Sequence, residues 1–325
     1  MEKATAVANP NIAFVKYWGK ANEDLNLPAN PSLSMNLAAL TTVTTVEFRR
    51  DLAADLVTVD DRPLAGPALA RVLAHLDRVR ALAGIEHRAW VASRNDFPAG
   101  TGLASSASGF AALSLAATRA AGLHLGEAAL SRLARLGSGS ACRSVPSGYC
   151  LWEGEDDETS FARQVAPAEH WSLADVVAIV SREHKPVGSH DGHGLAPGSP
   201  FYRARLAAVP GWLAAVQGGI RERNLGLLGP AAEADAMAMH GVMLTSQPPL
   251  FYWEPGTVAV LKAVQDWRRE GLEVYSTMDA GPNVHCFCLA AQAADVQERL
   301  LRLGVAEVVV SGPGQGVRLV DHYLF

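Results

Sequence analysis

Two lysines stand four residues apart in the segment "NIAFVKYWGK", where Lys16 and Lys20 flank Tyr17 and Trp18. Two ammonium groups at close range repel each other unless an anion lies between them, and a phosphate turns that repulsion into attraction. The alternative is a pair of solvated lysines on one face of a helix. The aromatic pair and the Pro/Asn-rich turn that follows favour the anion site.

A second candidate anion site lies in "NDFPAGTGLASSASGFAALSLAA", residues 95–117, where a turn of small residues runs into an apolar helix. The first N–H groups of a helix have no internal partners and lie at the positive end of its dipole, so they can bind phosphate. Gly102 would let the backbone approach the anion, while Ser105 and Ser106 can donate hydroxyls or reach a phosphate-bound Mg²⁺. These serines can also act as simple helix caps, and the segment lacks the ending of a Walker A loop.

Two further segments contribute a guanidinium and a carboxylate. "GSGSACRS", residues 137–144, places Ser138, Ser140 and Arg143 in one turn, where a planar fork and two hydroxyls match a carboxylate or phosphate. "STMDAGPN", residues 276–283, places Asp279 at the end of a strand. Asp279 either holds the turn as an Asx residue or acts as an acid/base or hydroxyl-orienting group, if the cationic segments converge on it. A flexible loop with a solvated arginine is the alternative for the first segment.

Strands and helices must position these segments, and their predicted order along the chain does not strictly alternate. Residues 41–48 alternate and are β-branched, which predicts a strand, and apolar residues at helical spacing from Leu69 to Leu82 predict a helix that ends at Gly84. The other predicted elements are a helix ending at residue 137, strands at 149–152 and 172–181, a strand–turn–strand unit at 274–290, and helices at 200–223, 229–245, 256–270 and 291–303. This order predicts an α+β architecture rather than a doubly wound sheet.

Helix-breaking and turn-forming residues give four further predictions. Pro210 is expected to break the first of the later helices. Residues 185–200 are expected to be irregular, with "SHDGH" a mobile polar loop rather than a metal site. "EVVVSGPGQGVRLVD", residues 307–321, reads as a terminal hairpin. The irregular segment also predicts a domain boundary, with an N-terminal ATP/phosphate-binding domain at 1–182 and a C-terminal α+β domain at 183–325.

Composition limits the class of protein. A chain of 325 residues that is 49% hydrophobic is long enough for two globular domains. The net charge of −5 argues against nucleic-acid binding. No apolar run approaches a membrane span and no secretion signal is evident, so we expect no membrane partner and a cytoplasmic location. Four cysteines are too few for a disulfide framework in so large a chain.

These motifs occur in the same order as in a known family. The chain resembles the diphosphomevalonate decarboxylases of the GHMP kinase superfamily over nearly its whole length, in the segments "NIAFVKYWGK", "NLPANPSLS", "NDFPAGTGLASSASGFAAL", "GSGSACRS", "MHGVMLTSQPPLFYW" and "STMDAGPNV". The resemblance implies a two-domain GHMP-kinase-like fold with an active-site cleft between the domains, and we expect a homodimer.

The resemblance also implies an activity. Such enzymes use ATP and Mg²⁺ to phosphorylate the 3-hydroxyl of a 5-phosphorylated mevalonate, after which phosphate and CO₂ leave and an isopentenyl product remains. Asp279 would orient or deprotonate the 3-hydroxyl, and Lys16 would act at the transferring phosphate. Two groups of residues would bind the ligands: Gly102, Ser105 and Ser106 for ATP and Mg²⁺; Tyr17, Lys20, Ser138, Ser140 and Arg143 for the substrate's phosphate and carboxylate.

One substitution bears on the choice of substrate. Many bacterial relatives that use the diphosphate carry Ser-Arg where this chain has Ser189 and His190, and their arginine binds the terminal phosphate. Histidine, mostly neutral at pH 7, replaces that arginine poorly, which predicts a preference for mevalonate 5-phosphate unless Arg182 or His193 takes over. The alternatives are the 5-diphosphate reaction, a mevalonate 3-kinase that stops before decarboxylation, and a non-catalytic sensor.

Overall fold

A computed structural model describes residues 2–97, 105–183 and 187–325 of the chain. The described strands, in chain order, are β1 (Ala4–Ala8), β2 (Asn11–Val15), β3 (Lys20–Asn22), β4 (Leu27–Pro28), β5 (Ser32–Asn36), β6 (Thr42–Arg49), β7 (Leu56–Val59), β8 (Arg62–Pro63), β9 (Arg88–Asn95), β10 (Tyr149–Glu153), β11 (Phe161–Ala166), β12 (Leu173–Ile179), β13 (Val274–Thr277), β14 (Val284–Leu289), β15 (Glu307–Ser311) and β16 (Arg318–Val320). The described α-helices are α1 (Gly66–Ala83), α2 (Ser105–Ala120), α3 (Glu127–Gly137), α4 (Ser189–Leu195), α5 (Tyr202–Glu222), α6 (Leu225–Thr245), α7 (Pro255–Arg269) and α8 (Ala293–Arg302).

Most predicted elements are confirmed. The strand at 41–48 is β6, the helix that follows ends at Gly84 in the left-handed conformation, and the strand–turn–strand unit is the antiparallel pair β13–β14. The expected α+β architecture is also confirmed. Periodicity sufficed for these elements because each buries one apolar face or runs wholly inside the core.

Two sheets and their helices form the first part of the fold. One sheet has the order β16-β1-β6-β9-β7-β8 and the other has the order β11-β10-β5-β2. Helix α2 packs on the first sheet through fully buried alanines, including Ala111, Ala112 and Ala116. Their small side chains let the helix axis lie close to β1 and β6.

A third sheet, β13-β14-β12-β15, forms the second part together with helices α5–α8. Its inner face meets the β2–β5 sheet in one continuous core, where the rings of Phe14 and Phe287 lie 5.2 Å apart. Strand β12 precedes residue 182 and pairs with strands that follow it. The division at residue 182 stays a prediction.

The predicted terminal hairpin is wrong. Strand β15 pairs with β12 in the third sheet, whereas β16 pairs with β1 in the first sheet. The glycine-rich connection crosses between the sheets in contact with backbone: the Gly314 N–H donates to the Asn36 carbonyl at 2.7 Å, and a Cβ on Gly316 would lie 2.3 Å from the Val145 carbonyl oxygen. These glycines allow the connection to lie close to the neighbouring backbone and do not form a tight turn.

Two other local expectations are also wrong. Helix α5 continues through Pro210, which is exposed, because Val209 and Val216 hold another face of the helix in the core. Within 187–200 the chain forms α4 and a short 3₁₀-helix instead of irregular loop, since Gly192 and His193 pack inward. Residues 184–186 lie outside the described residues.

All four cysteines are free and buried. Across the ranges 2–97, 105–183 and 187–325, no helix is both long and apolar enough to cross a membrane.

A buried ion pair fixes the backbone at the end of β2. Asp235 on α6 receives a hydrogen bond from Arg205 on α5 at 2.8 Å, and its other oxygen accepts the backbone N–H of Lys16. Arg205 also donates to the Lys16 carbonyl at 2.9 Å and to the Asn30 side chain at 3.1 Å. Both members of the pair are almost wholly buried, so each depends on the other for its charge balance.

We therefore expect Asp235→Asn to lower the free energy of unfolding by about 3–5 kcal/mol, because it leaves the Arg205 charge buried without a counter-charge. Urea denaturation measures the effect. Asp266→Asn is the matched control, since Asp266 pairs with Arg269 on the surface and its loss should change stability by less than about 1 kcal/mol. Equal stability of the two variants would contradict this assignment.

Candidate active site

The predicted chemical residues surround one cavity of about 370 Å³ between the two parts of the fold. Its walls come from the ends of β2 and β13, the start of α2, the 3₁₀-helix Gly139–Ser144 and the start of α4. The predicted residues that line it are Lys16, Tyr17, Lys20, Ser105, Ser106, Ser138, Ser140, Arg143, Ser189, His190 and Asp279. Gly102, with residues 98–104, lies outside the described part of the chain.

Lys16 and Asp279 form the charged centre of this cavity. The Lys16 Nζ lies 2.8 Å from Asp279 Oδ1, although the two residues follow different strands, β2 and β13. Lys16 is buried and Asp279 is partly open to the cavity. Burial alone would raise the pKa of the Asp279 carboxyl, but the Lys16 and Arg143 charges and the Lys16 hydrogen bond hold that pKa below its usual value. Lys16 and Lys20 therefore do not form the solvated helical face that their spacing also allowed.

Arg143 is buried in a cradle of uncharged oxygens. Its Nε donates to the Ser34 hydroxyl at 3.0 Å and to the Asn11 side chain at 3.3 Å, while Nη1 donates to the Ser32 hydroxyl at 2.5 Å. Burial lowers the pKa of the guanidinium, yet an arginine stays charged in proteins. Because hydroxyl and amide oxygens do not neutralise that charge, it remains available to an anion in the cavity.

Tyr17 lines the same cavity. Its ring lies between Trp152, at 4.6 Å, and His193, at 4.1 Å, and a Cβ on Gly139 would lie 2.6 Å from it. Burial raises the pKa of the phenol, so the group is a neutral donor at physiological pH. The hydroxyl is buried with no hydrogen-bond partner among the described residues, which fits a group that completes its bonding with a ligand oxygen.

Lys20 and His190 are neighbours in the wall of the cavity. The Lys20 Nζ lies 2.7 Å from Glu23 Oε2 and 3.5 Å from His190 Nδ1. Burial lowers the pKa of His190, and the positive charges of Lys20 and Arg71 lower it further. The His190 ring is therefore neutral near pH 7.

Arg71 on α1 is a cavity cation that sequence reasoning missed. It lines the cavity, donates to the Gly137 carbonyl at 3.0 Å and lies over the Phe110 ring at 5.1 Å. The signal in the sequence was weak, because a lone arginine beside the apolar stripe of an amphipathic helix is usually solvated. Of the two replacements considered for the missing arginine, Arg182 pairs with Glu307 away from the cavity, and His193 lines it.

Serine side chains form another part of the cavity wall. The Ser138 hydroxyl lies 3.3 Å from the Ser106 hydroxyl, which joins the end of α3 to the start of α2. Ser105 also lines the cavity at the first described residue of α2. Hydroxyls at this helix start are suitable phosphate donors.

Comparisons with known proteins cover both parts of the fold. Residues 8–162 match the diphosphomevalonate decarboxylase-like N-terminal domain, and residues 175–309 match the mevalonate 5-diphosphate decarboxylase C-terminal domain. The chain is 37% identical to diphosphomevalonate decarboxylase mvd1 of Aspergillus fumigatus over 88% of this chain and 77% of that protein. It is 32% identical to the phosphomevalonate decarboxylase of Haloferax volcanii over 98% of both.

Solved structures agree over the whole fold. The crystal structure of mevalonate diphosphate decarboxylase from Staphylococcus aureus has a TM-score of 0.94 and 34% identity, covering 98% of both chains. A structure described as MDDEF in complex with MVAPP, AMPPCP and magnesium has a TM-score of 0.93 and 38% identity, covering 98% of this chain and 99% of that one. The expected two-domain GHMP-kinase-like fold is thereby confirmed.

The environment of His190 predicts its titration. Because burial and two nearby cations favour the neutral ring, we expect an NMR titration midpoint below the ordinary value of about 6.5. Lys20→Met should raise that midpoint, since it removes a positive charge and leaves Glu23 beside the ring. The resonances of His170, which lies outside the cavity, serve as an internal control. A wild-type midpoint above 6.5 would show that the ring is not shielded from protonation.

Proposed function

The chain belongs to the diphosphomevalonate decarboxylase family of ATP-dependent decarboxylases, and we propose that its preferred substrate is mevalonate 5-phosphate, which it converts to isopentenyl phosphate. Decarboxylation of a phosphorylated mevalonate with ATP follows from the family. The names of relatives include both diphosphomevalonate and phosphomevalonate decarboxylases, so the choice between the two substrates depends on the charges in the cavity. The arrangement of Lys20, Glu23 and His190 carries that proposal.

The charges around Lys20 and His190 favour the smaller anion. The Lys20 ammonium is partly balanced by Glu23 at 2.7 Å, and the neighbouring His190 is neutral. A diphosphate brings about one to two more negative charges than a monophosphate. Without a guanidinium at position 190, the second phosphate lacks a charge-assisted pair worth roughly 1.5–3 kcal/mol, or about one to two decades in affinity. Arg71 is the cation that could offset part of this loss.

Asp279 is proposed to bind the 3-hydroxyl of the substrate. Its lowered pKa keeps it ionised at neutral pH, so it can accept the hydroxyl hydrogen bond without first losing a proton. A carboxylate this acidic is a weak base, and we assign it mainly to orientation, with the proton passing to it as the new P–O bond forms. Lys16, hydrogen-bonded to the same carboxylate, is suited to neutralise charge on the transferred phosphoryl oxygens.

Arg143 and Tyr17 are proposed to hold the anionic ends of the substrate, together with Ser138 and Ser140. The decarboxylation step breaks the C3–O bond, whose electron pair leaves with phosphate, and then the bond to the carboxyl carbon, whose pair becomes the new double bond as CO₂ departs. The carboxylate must stay bound but not protonated for this sequence. A buried guanidinium in an uncharged cradle favours that state.

ATP and Mg²⁺ are the cofactors. ATP supplies the transferred phosphoryl group, and Mg²⁺ neutralises charge on its oxygens. Ser105 and Ser106 fit this use because both line the cavity at the start of α2. No group of three His, Cys, Asp or Glu that could hold a metal occurs in the described ranges, so phosphate oxygens and water would supply most Mg²⁺ ligands. The role of Gly102, like the homodimer and the cytoplasmic location, stays a prediction.

We expect Asp279→Asn to reduce kcat by at least about two orders of magnitude, because the amide cannot accept the hydroxyl proton. The variant should still fold and bind an ATP analogue with near wild-type affinity, which calorimetry can check, although its unfolding midpoint should fall because the buried Lys16 ammonium loses its counter-charge. Near-normal turnover in the variant would remove Asp279 from the chemistry.

The substrate proposal predicts a higher kcat/KM for mevalonate 5-phosphate than for the 5-diphosphate, with CO₂ and ADP released together. His190→Arg should improve kcat/KM for the diphosphate by about one to two decades by restoring the charge-assisted pair. Arg182→Gln is the control, since Arg182 pairs with Glu307 outside the cavity and should not alter the preference. If the diphosphate is already the better substrate of the wild type, the interpretation of His190 fails.

The same assay separates the second candidate function. A mevalonate 3-kinase would share these phosphate-binding groups and release ADP without CO₂. Equal amounts of the two products support the decarboxylase, whereas ADP alone would identify the kinase.

A further inference from the structure

Helix α4 packs tightly against the segment that follows β2. His193 on this helix is only 6% exposed, and its ring lies 4.1 Å from the Tyr17 ring and 4.7 Å from the Trp18 ring. A Cβ on Gly192 would lie 2.7 Å from the Trp18 ring. The helix and the aromatic pair therefore leave no room for a larger residue at their contact.

A hydrogen bond fixes the orientation of the His193 ring. The Gly19 backbone N–H donates to His193 Nδ1 at 3.0 Å. Since a backbone N–H can only donate, Nδ1 must carry a lone pair, and the neutral ring must carry its proton on Nε2. This state also removes His193 as a cationic replacement for the arginine missing at position 190.

The donor has little freedom to move. Gly19 has a φ of 93°, and a Cβ there would lie 2.0 Å from the hydroxyl of Tyr202. The Gly19 amide is thus held in one direction by a conformation that suits glycine and by the packing of α5. Only an acceptor at the position of His193 Nδ1 can meet it.

We propose that His193 is a positioning residue that holds the Tyr17 ring against Trp152 and ties α4 to the Tyr17–Gly19 segment. The start of α4 carries Ser189 and His190, so this bond sets their position relative to the Tyr17 hydroxyl. The inference rests on the proposed function, because these are the groups proposed to bind the anionic ends of the substrate. His193 itself does not take part in proton or phosphoryl transfer.

Three variants separate the hydrogen bond from the ring contact. His193→Phe keeps an aromatic ring beside Tyr17 but removes the acceptor, and we expect the KM for mevalonate 5-phosphate to rise about tenfold with little change in kcat. In His193→Asn the side-chain oxygen can replace Nδ1 as acceptor, so the KM should stay within about threefold of wild type. His193→Ala loses both interactions and should have the highest KM. The KM for ATP should change less than twofold in all three.

A matched control tests whether any lost histidine bond has this effect. His170→Phe removes the His170 bond to the Ile220 carbonyl at 2.8 Å, outside the cavity, and should leave the KM unchanged. Rescue by Asn but not by Phe supports positioning. An unchanged KM in His193→Phe, or equal KM values in Phe and Asn variants whose unfolding midpoints fall together, would overturn the proposal.

A measurement on the wild-type protein does not depend on catalysis or on variant folding. Two-dimensional ¹⁵N–¹H spectra of histidine-labelled protein report which ring nitrogen carries the proton, and His193 is assigned by the signal absent from His193→Asn. We expect the Nε2–H tautomer at neutral pH, and an Nδ1–H tautomer would refute the bond. A wild-type preference for the 5-diphosphate would instead contradict only the proposed substrate.

Discussion

The contact between Lys16 and Asp279 is the interaction on which the rest of the site depends. It joins the end of β2 in the first part of the fold to the end of β13 in the second part, at 2.8 Å. The backbone of Lys16 is fixed separately by the buried Arg205–Asp235 pair. A carboxylate from one sheet and an ammonium from another can therefore meet at a defined distance without either strand having to adjust.

Burying several cations beside one cavity is costly unless each has hydrogen-bonding partners. The chain meets that cost in different ways: Arg143 bonds to neutral hydroxyl and amide oxygens, whereas Lys20 shares its charge with Glu23. The neutral oxygens leave more of the Arg143 charge available to a ligand than Glu23 leaves of the Lys20 charge. Because the protein carries a net charge of −5, its attraction for an anion must be local.

The sequence was sufficient for elements with a clear period and for residues in dense motifs. Lys16, Arg143 and Asp279 were each predicted from local chemistry and a family resemblance, and the structure brings them to one cavity. Arg71 was not found, because nothing local distinguishes it from a solvated helical arginine. The β16 pairing was missed for a different reason: a glycine-rich link between two strands predicts a hairpin, and only the partner strand β1, some 300 residues away, decides otherwise.

The pairing of β16 with β1 also affects how the chain folds during its synthesis. Because β16 is the neighbour of β1, one edge of the first sheet has no strand beside it until residues 318–320 have left the ribosome. An unpaired edge is a template for pairing with other chains, so the nascent protein carries a site for misassembly until β16 has been made. The same pairing makes folding a long-range event, since the first and the last described strands must meet before the first sheet is complete. Removal of residues 318–320 would therefore leave β1, the first strand to be synthesised, as an unpaired edge of the first sheet.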